Sequence, residues 1–313
     1  MSQLTSLVLF ATAVLVSEYV LGKIIRRILR LHLITRNICT RILDVLTVIV
    51  IACGILYIVQ DDMIFYNPKN EESRIYLRHQ PSYTEVQFTA ENEKTYNGML
   101  HKSQSGKAPL VIYFTGNGQA SYNELMGIEA QGMWSYYNDY SLLCIDYEGY
   151  GLNEGSPHYL NMYEEALAIY DYAITLPDVD TSNIVAMGYS LGTGSATYLA
   201  ANRDVTGLIL VSPYANGYDL YNNVLPIFYG ILKPLVKHKL PSDEYAPMVS
   251  APVLMFASKS DEVVPYESSQ KLSELFTSPV EFVTVDWAYH TGIYGADDVY
   301  SKIKTFLESV VKR

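Results

Sequence analysis

Apolar residues along the chain follow two different patterns, and each predicts a different kind of structure. In the first sixty residues they form two long runs, Leu4 to Leu21 and Val45 to Val59. A helix needs about 20 predominantly apolar residues to cross a bilayer, and the second run approaches this length without a charge inside it. A helix that is apolar on every face is buried or spans a membrane, so we predict a membrane span here rather than a core helix.

The first run is interrupted by Ser17-Glu18 and has a signal peptide as its alternative interpretation. A signal peptide begins with positive residues and ends at a cleavage site flanked by small residues. This run has neither Lys nor Arg before it, and no such site follows it. We therefore predict a retained helix, which gives the chain one or two membrane-spanning helices.

The segment between the two runs, KIIRRILRLHLITRNICTR, is basic and amphipathic. This composition is typical of a segment that lies against anionic lipid, and a solvated loop is the alternative. Short loops rich in Lys and Arg stay in the cytoplasm, which puts the body of the protein on the extracytoplasmic side of the membrane. A peripheral hairpin with a cytoplasmic body is the other arrangement that this pattern allows.

From Tyr83 onward the pattern changes to short apolar runs that alternate with helical patterns. The first two runs alternate polar and apolar residues as in an antiparallel hairpin, and the later ones are nearly continuously apolar, like strands buried on both faces. The strand candidates are YTEVQFT, TYNGMLHK, PLVIYF, SLLCID, NIVAMGY, GLILVS, PVLMFAS and VEFVTV, and the helix candidates cover residues 121–137, 160–175, 191–202, 266–276 and 297–312. This order predicts an α/β fold with a mostly parallel sheet of about eight strands, flanked by helices on both sides.

The two patterns divide the chain into three parts. Residues 1–60 form the predicted membrane anchor, and residues 83–313 form one globular domain. Between them, residues 61–82 form a junction that contains the polar stretch Asn67 to Ser73.

Charge and cysteine content exclude several classes of protein. Six of the 22 Lys and Arg but only two of the 33 Asp and Glu lie in the first sixty residues, which leaves the remainder strongly acidic. An acidic body repels polyphosphates, so we expect no nucleic-acid partner. Cys39 and Cys53 lie in the apolar part and Cys144 is the only cysteine of the body, which excludes a disulfide framework there. The cysteines and histidines lack metal-ligand spacing, so we expect no metal site.

A serine stands between two glycines at the end of a strand candidate, in the sequence GYSLG at residues 188–192. The strand NIVAMGY precedes Ser190 and a helix candidate follows it, which is the context of a nucleophile elbow. Such a turn strains the serine backbone, and Gly188 and Gly192 remove the side chains that would collide there. The N–H of Leu191, at the helix N-terminus, would point toward a developing oxyanion. Ser190 is therefore the candidate nucleophile, with an ordinary turn serine as the alternative.

A nucleophilic serine needs a base, and in a fold of this kind the base follows the acid along the chain. His290 fits this position because it follows the strand candidate VEFVTV. His238 is the competitor, but Lys233, Lys237 and Lys239 surround it in a stretch that we expect to be exposed. We predict His290 as the base.

The acid that orients the histidine is predicted from the loop after PVLMFAS. Asp261 lies three residues beyond this strand candidate, and Glu262 and Asp286 are the alternatives. Asp146 ends an earlier strand candidate, before the serine, so we predict a structural role for it.

Several motifs lie in register from about Phe65 to the C-terminus. YFTGNGQ is similar to an HGN motif, DYEGYGLNEGSP to DYRGYGxSxGxP, and SKSDEVVPYESSQKL to GxxDxxVPxxxSxxL. With GYSLG, these motifs make the chain resemble the α/β-hydrolase superfamily. Within it, the chain is most similar to the membrane-anchored, capless serine hydrolases related to acyl-protein and acylglycerol hydrolases.

The resemblance implies an α/β-hydrolase fold with nucleophile Ser190, acid Asp261 and base His290, and no cofactor. It also implies that the backbone N–H of Asn117 or its neighbour joins that of Leu191 in an oxyanion hole. An ordinary tight turn is the alternative interpretation of the TGNG sequence around Asn117.

The chain departs from the superfamily pattern at two positions. Thr115 stands before Gly116 where the superfamily has a histidine, and Asn153 stands in the glycine-rich loop where it has a serine. Because the oxyanion donors are backbone groups, we expect the hole to survive Thr115. The packing of these loops and the substrate preference are where differences are expected.

These residues predict a two-step acyl transfer to water from an ester or thioester. His290, oriented by Asp261, takes the proton from Ser190 during the attack, and water then releases the acyl-enzyme. Residues 214–251 contain apolar side chains that form a small lid or merely cover the core. A lid on a protein held by membrane lipid favours a small-molecule or lipid-like acyl substrate. A peptidase of the same fold and a membrane-tethered binding protein are the rival functions, and the pattern leaves the oligomeric state open.

Overall fold

The computed structural model describes residues 3–28, 33–66, 72–137, 139–296 and 298–311. Residues 29–32 of the basic segment and residues 67–71 of the predicted polar junction lie outside the described part of the chain.

One sheet organises the described chain from residue 83 onward, and it confirms the predicted α/β architecture. The strands follow the spatial order β1-β2-β4-β3-β5-β6-β7-β8. β2 pairs antiparallel with both β1 and β4, and the other neighbours pair in parallel. The strands are β1 (Tyr83–Thr89), β2 (Thr95–His101), β3 (Ala108–Phe114), β4 (Ser141–Ile145), β5 (Val179–Tyr189), β6 (Gly207–Val211), β7 (Val253–Ser258) and β8 (Val280–Val285).

Most parallel strands are buried on both faces, as their continuous apolar runs predicted, but β8 is wrongly predicted in this respect: it lies at the edge of the sheet, and only Val285 of its residues is buried. Every residue of β4, β6 and β7 is buried. In β3, Val111 and Tyr113 belong to the core that also holds residues of α5 and α11, while α7 contacts β3, β5 and β6. The helices are α1 (Gln3–Ile28), α2 (Leu33–Ile58), α3 (Gln60–Ile64), α4 (Glu72–Leu77), α5 (Ser121–Ala130), α6 (Tyr159–Ala173), α7 (Gly192–Asn202), α8 (Gly217–Val224), α9 (Ser242–Tyr245), α10 (Tyr266–Ser273) and α11 (Val299–Val310).

The strand and helix boundaries differ from the sequence prediction in a few places. The helix expected over 121–137 ends at Ala130, because Gly132 takes a left-handed φ of 66° and a short 3-10 helix, Met133–Tyr136, follows. β5 begins at Val179, four residues before the predicted Asn183, because Val179 extends the ladder by pairing with Ala108.

The N-terminal helices belong to a separate compact unit, which consists of Met1–Ile64 together with Gly230–Lys237. Thr5–Ile25 and Asn37–Ile64 are long and apolar enough to cross a membrane, and few of their residues are buried within the protein. Within this unit the side chain of Gln60 donates to Leu235 O at 2.8 Å and accepts from Lys237 N at 2.9 Å. The other compact unit consists of Phe65–Tyr229 and His238–Arg313. Residues 230–237 of the predicted lid therefore group with the N-terminal helices.

Candidate active site

Ser190 stands at the sharp turn between β5 and α7. Its φ is 50°, in the left-handed region that L side chains rarely adopt, so the strained turn expected from GYSLG is present. A Cβ on Gly188 would lie 2.5 Å from Gly192 O, and one on Gly192 would lie 2.2 Å from Phe114 O. The two glycines are thus required by close backbone approaches, as the sequence predicted.

The structure brings Ser190, His290 and Asp261 into one hydrogen-bonded chain. His290 Nε2 lies 2.8 Å from Ser190 Oγ, and His290 Nδ1 lies 2.8 Å from Asp261 Oδ2. Ser190 and His290 are each only 7% exposed. The strand ends achieve this: Ser190 follows β5, Asp261 follows β7, and His290 begins the 3-10 helix His290–Gly295 after β8.

The carboxylate of Asp261 is held by three groups. Besides the imidazole, the backbone N–H groups of Val263 and Val264 donate to Oδ1 at 2.9 and 2.8 Å. Burial acts to raise the pKa of Asp261, but the hydrogen bonds and the charge of His290 outweigh it, so the pKa lies below its usual value. Asp261 is therefore an ionised acceptor that orients the imidazole.

The other acid candidates have different partners. Glu262 Oε2 accepts the backbone N–H of His290 at 3.0 Å, whereas Asp286 forms an exposed ion pair with Lys259 at 2.7 Å. Asp146 is buried and accepts from Ser121 N at 2.6 Å, which fits a structural carboxylate.

The expectation that His238 lies in an exposed stretch is wrong. His238 is fully buried, and its ring contacts those of Phe65 and His158 at centroid distances of 4.8 and 4.9 Å. Neighbouring lysines do not determine where the side chain between them points, because each backbone step turns the side chain to a different side.

The loop after β3 contains Asn117, the predicted second oxyanion donor. Asn117 is fixed by its side chain, whose Oδ1 accepts from Tyr66 N at 2.8 Å and from Tyr150 OH at 2.7 Å. Within the described part of the chain, neither the backbone N–H of Asn117 nor that of Leu191 has a hydrogen-bond acceptor. Both N–H groups are thus available to a ligand.

The two departures from the superfamily pattern have local explanations. Thr115 Oγ1 donates to Gln119 O at 3.3 Å, so the threonine side chain bonds within its own loop. Asn153 accepts from Asn97 N at 2.8 Å and donates to Asp146 O, which ties the glycine-rich loop to β2.

A cavity of about 650 Å³ opens beside Ser190 and His290, and its lining is partly polar. The lining includes Asn117, Gln119, Asn123, Glu124, Gln131 and Tyr294. Among the described residues, no group of three or more His, Cys, Asp and Glu side chains could hold a metal ion.

Two features of the site escaped the sequence analysis. Tyr189 OH donates to His290 O at 3.0 Å, and its ring lies over the imidazole with centroids 5.4 Å apart. Gln119 accepts from Gly116 N at 2.8 Å and donates to Glu124 Oε2 at 2.7 Å. Because Tyr189 lies inside the GYSLG motif, its position next to the site could have been predicted. Glu124 lies in an ordinary helical pattern, which gives no indication of a role in the site.

Comparison with known proteins places the chain among hydrolases. The steryl acetyl hydrolase family matches residues 4–222, which include Ser190 and Asn117 but end before Asp261 and His290. The uncharacterized protein Rv2307c of Mycobacterium tuberculosis is 31% identical over 189 residues, which cover 60% of this chain and 65% of that protein. Human protein ABHD12B is 25% identical over 187 residues, 53% of this chain and 49% of that protein. The match thus spans less than two thirds of these relatives.

A solved structure shares the fold. An esterase of Pyrococcus furiosus superposes with a TM-score of 0.63 at 16% identity, covering 80% of this chain and 99% of that one. The family match extends over more than half of the chain, and the strand order and elbow are those of the superfamily. This chain therefore belongs to the steryl acetyl hydrolase family, within the α/β-hydrolase superfamily.

Proposed function

We propose that this protein is a serine hydrolase of carboxylic esters or thioesters. The observation that carries the proposal is the continuous chain from Ser190 Oγ through the imidazole of His290 to the carboxylate of Asp261, with links of 2.8 Å each. Membership in a family described as steryl acetyl hydrolases supports an ester as the substrate.

In the proposed reaction Ser190 Oγ attacks the ester carbonyl while His290 Nε2 takes its proton. The imidazolium then donates this proton to the leaving alkoxide or thiolate as the bond to the carbonyl carbon breaks. Water attacks the acyl-enzyme with His290 again as base, which releases the acid and restores Ser190. Asp261 stays ionised throughout and stabilises the imidazolium.

The oxyanion of each tetrahedral intermediate would be bound by backbone groups. The free N–H groups of Leu191 and Asn117 are the proposed donors. Removal of one such donor typically costs about 3 kcal/mol of transition-state stabilisation. The side-chain hydrogen bonds of Asn117 support this role because they hold its loop in place before the substrate binds.

We further propose that the two N-terminal helices anchor the protein in a membrane, with the catalytic unit on the extracytoplasmic side. Their length and composition support spanning, and the basic segment between them supports the orientation. Exposed apolar side chains in the predicted lid, such as Val224 at 70% and Tyr229 at 62%, support an acyl substrate that comes from the membrane. Protease digestion of sealed vesicles tests the orientation: an extracytoplasmic catalytic unit is degraded in right-side-out vesicles and resists digestion in inverted vesicles, whose cytoplasmic face is outward.

The experiment that tests the chemistry is labelling with a fluorophosphonate probe. Such a probe reacts with an activated serine, so the wild-type protein should be labelled and the Ser190→Ala variant should not. Hydrolysis of p-nitrophenyl acyl esters but not of aminoacyl amides separates an esterase from a peptidase. A folded wild-type protein that neither labels nor hydrolyses any ester is a binding protein with a hydrolase fold.

A further inference from the structure

A second carboxylate lines the cavity beside the proposed nucleophile. Glu124, on α5, shares this cavity with Ser190 and His290. Its Oε1 accepts from Tyr113 OH at 3.0 Å and its Oε2 accepts from Gln119 Nε2 at 2.7 Å. Each carboxylate oxygen therefore has one neutral donor, and each has acceptor capacity left.

The surroundings of Glu124 are tyrosines. Burial raises the pKa values of Tyr113, Tyr137, Tyr294 and Tyr300, and the nearby charge of Glu124 raises them further, so each phenol is neutral at physiological pH. In the described part of the chain, no Lys, Arg or His forms an ion pair with Glu124. The carboxylate thus faces the cavity without a cation to neutralise it.

A carboxylate removed from water without a cationic partner is costly, and the structure records this cost. Burial raises the pKa of Glu124 from 4.5 to about 7, against the hydrogen bond from Tyr113, which lowers it. A ligand that brings a further hydrogen-bond donor or a positive charge would offset this cost. A purely structural need to orient Gln119 would be met by an uncharged acceptor as well.

We propose that Glu124 is a specificity residue, and that it selects esters carrying a hydrogen-bond donor, a hydroxyl or an ammonium group, on the part bound in the cavity. This inference rests on the proposed function, since it takes Ser190 as the nucleophile. The polar lining from Asn123 and Gln131 belongs to the same cavity and suits a hydroxylated or aminated group better than a long alkyl chain.

The test compares matched esters that differ in one group. On the acyl side, p-nitrophenyl hexanoate is compared with its 6-hydroxy and 6-amino derivatives. On the alcohol side, cyclohexyl acetate is compared with the monoacetates of 1,4-cyclohexanediol and 4-aminocyclohexanol. We expect wild-type kcat/KM to favour a donor-bearing ester in one of the two series by about 10- to 100-fold, the range for a hydrogen bond to a charged group.

The Glu124→Gln variant removes the charge while keeping the size of the side chain. We expect kcat/KM for the donor-bearing ester to fall at least tenfold more than kcat/KM for the plain ester, since only the donor-bearing ester makes a bond to Glu124. Glu129→Gln removes the same charge from the same helix outside the cavity, and it should keep the wild-type preference.

The hydroxyl and the ammonium are distinguished by pH. As Glu124 ionises around pH 7, a preference for the amino ester, which gains a charge pair, rises more steeply with pH than a preference for the hydroxy ester, which gains only a stronger hydrogen bond.

Three outcomes contradict the inference. Wild-type protein that hydrolyses plain and donor-bearing esters equally in both series has no such selectivity, and this comparison needs no variant. A Glu124→Gln variant that keeps the wild-type preference assigns the selectivity to another residue. A variant that loses kcat equally for every ester shows that Glu124 acts through Gln119 on the oxyanion loop. The proposed function fails separately, when the wild type hydrolyses no ester and is not labelled at Ser190.

Discussion

Asp261 and Glu124 are two carboxylates of the site that differ in the groups they contact. Asp261 faces the imidazole of His290 and two backbone N–H groups, and its pKa is held below the usual value. Glu124 faces a tyrosine hydroxyl and a side-chain amide, and burial raises its pKa to about 7. A carboxylate with an imidazole partner stays ionised and can orient a base, whereas one with neutral partners remains ready to accept a donor from a ligand. The environment, rather than the residue type, assigns each carboxylate its proposed role.

The largest expected effect is that of replacing Ser190, because Asp261 acts only by orienting the base of this serine. Ser190→Ala should lower kcat for ester hydrolysis by about 10⁴ to 10⁶, because the variant lacks the hydroxyl that forms the acyl-enzyme in the proposed reaction. Ser212 is the matched control: it follows β6, is buried and has the same φ of 50°. Ser212→Ala should change kcat only a few-fold. Steady-state kinetics of both variants decide this, and a few-fold loss in Ser190→Ala would reject the nucleophile.

The next effect separates the acid from its neighbour. Asp261→Asn should lower kcat by about 10³ to 10⁴, since the amide no longer holds the productive tautomer of His290. Glu262→Gln should cost at most about tenfold, because Glu262 bonds only the backbone N–H of His290 and an amide oxygen can also accept. Similar losses in the two variants would mean that the acid is misassigned.

The third prediction concerns how the free energy of unfolding depends on pH, to which Glu124 and Asp261 contribute with opposite sign. A carboxyl with a raised folded pKa keeps its proton in the folded protein while the unfolded chain releases it, so stability falls as pH rises from about 4.5 to about 7. The free energy of unfolding of Glu124→Gln minus that of the wild type should therefore be up to about 3 kcal/mol larger at pH 8 than at pH 4. Asp261 has a lowered pKa, so its contribution is present above its usual value of 3.8 and is lost as pH falls below it.

Urea unfolding of the wild type and Glu124→Gln at pH 4 and pH 8, and of the wild type and Asp261→Asn at pH 2.5 and pH 8, checks these signs. Relative to the wild type, Asp261→Asn should be less stable at pH 8, while Glu124→Gln should be more stable. Equal changes in both variants would show that the two carboxylates share one environment.

The smallest expected effect concerns the tyrosine that supports His290. Tyr189→Phe removes the hydrogen bond to His290 O and should lower kcat about 3- to 10-fold with KM unchanged, because the imidazole is less well held. Tyr140→Phe removes a similar bond, to Leu307 O, away from the site, and should lower stability but leave kcat unchanged. If Tyr189→Phe lowers the thermal midpoint but leaves kcat unchanged, Tyr189 contributes to packing and does not support the imidazole.

Much of this fold could be predicted because its strands carry local signals. All eight strand candidates match observed strands, since alternating residues mark the antiparallel β1 and β2 and continuously apolar runs mark the buried parallel strands. The turn at Gly188 and Gly192 was predictable because close backbone approach demands glycine. The catalytic candidates followed from their position after strand ends, and the structure brings Ser190, Asp261 and His290 together.

Other features depend on contacts that no local pattern records. His238 was misjudged because its burial depends on the rings of Phe65 and His158, which are distant in the chain. Glu124 gave no signal because an acidic residue in an amphipathic helix is usually solvated. Its exceptional environment exists only where β3, α5 and α11 converge.

By itself, the sequence determined the order of strands and helices, the strained elbow at Ser190 and the apolar N-terminal helices, because hydrophobic period and glycine placement act over a few residues. Only the tertiary structure decided which histidine meets the serine, which carboxylate keeps its charge and which tyrosines surround Glu124. Hydrogen bonding and desolvation depend on atoms brought together from distant parts of the chain, such as Ser190 and His290, 100 residues apart.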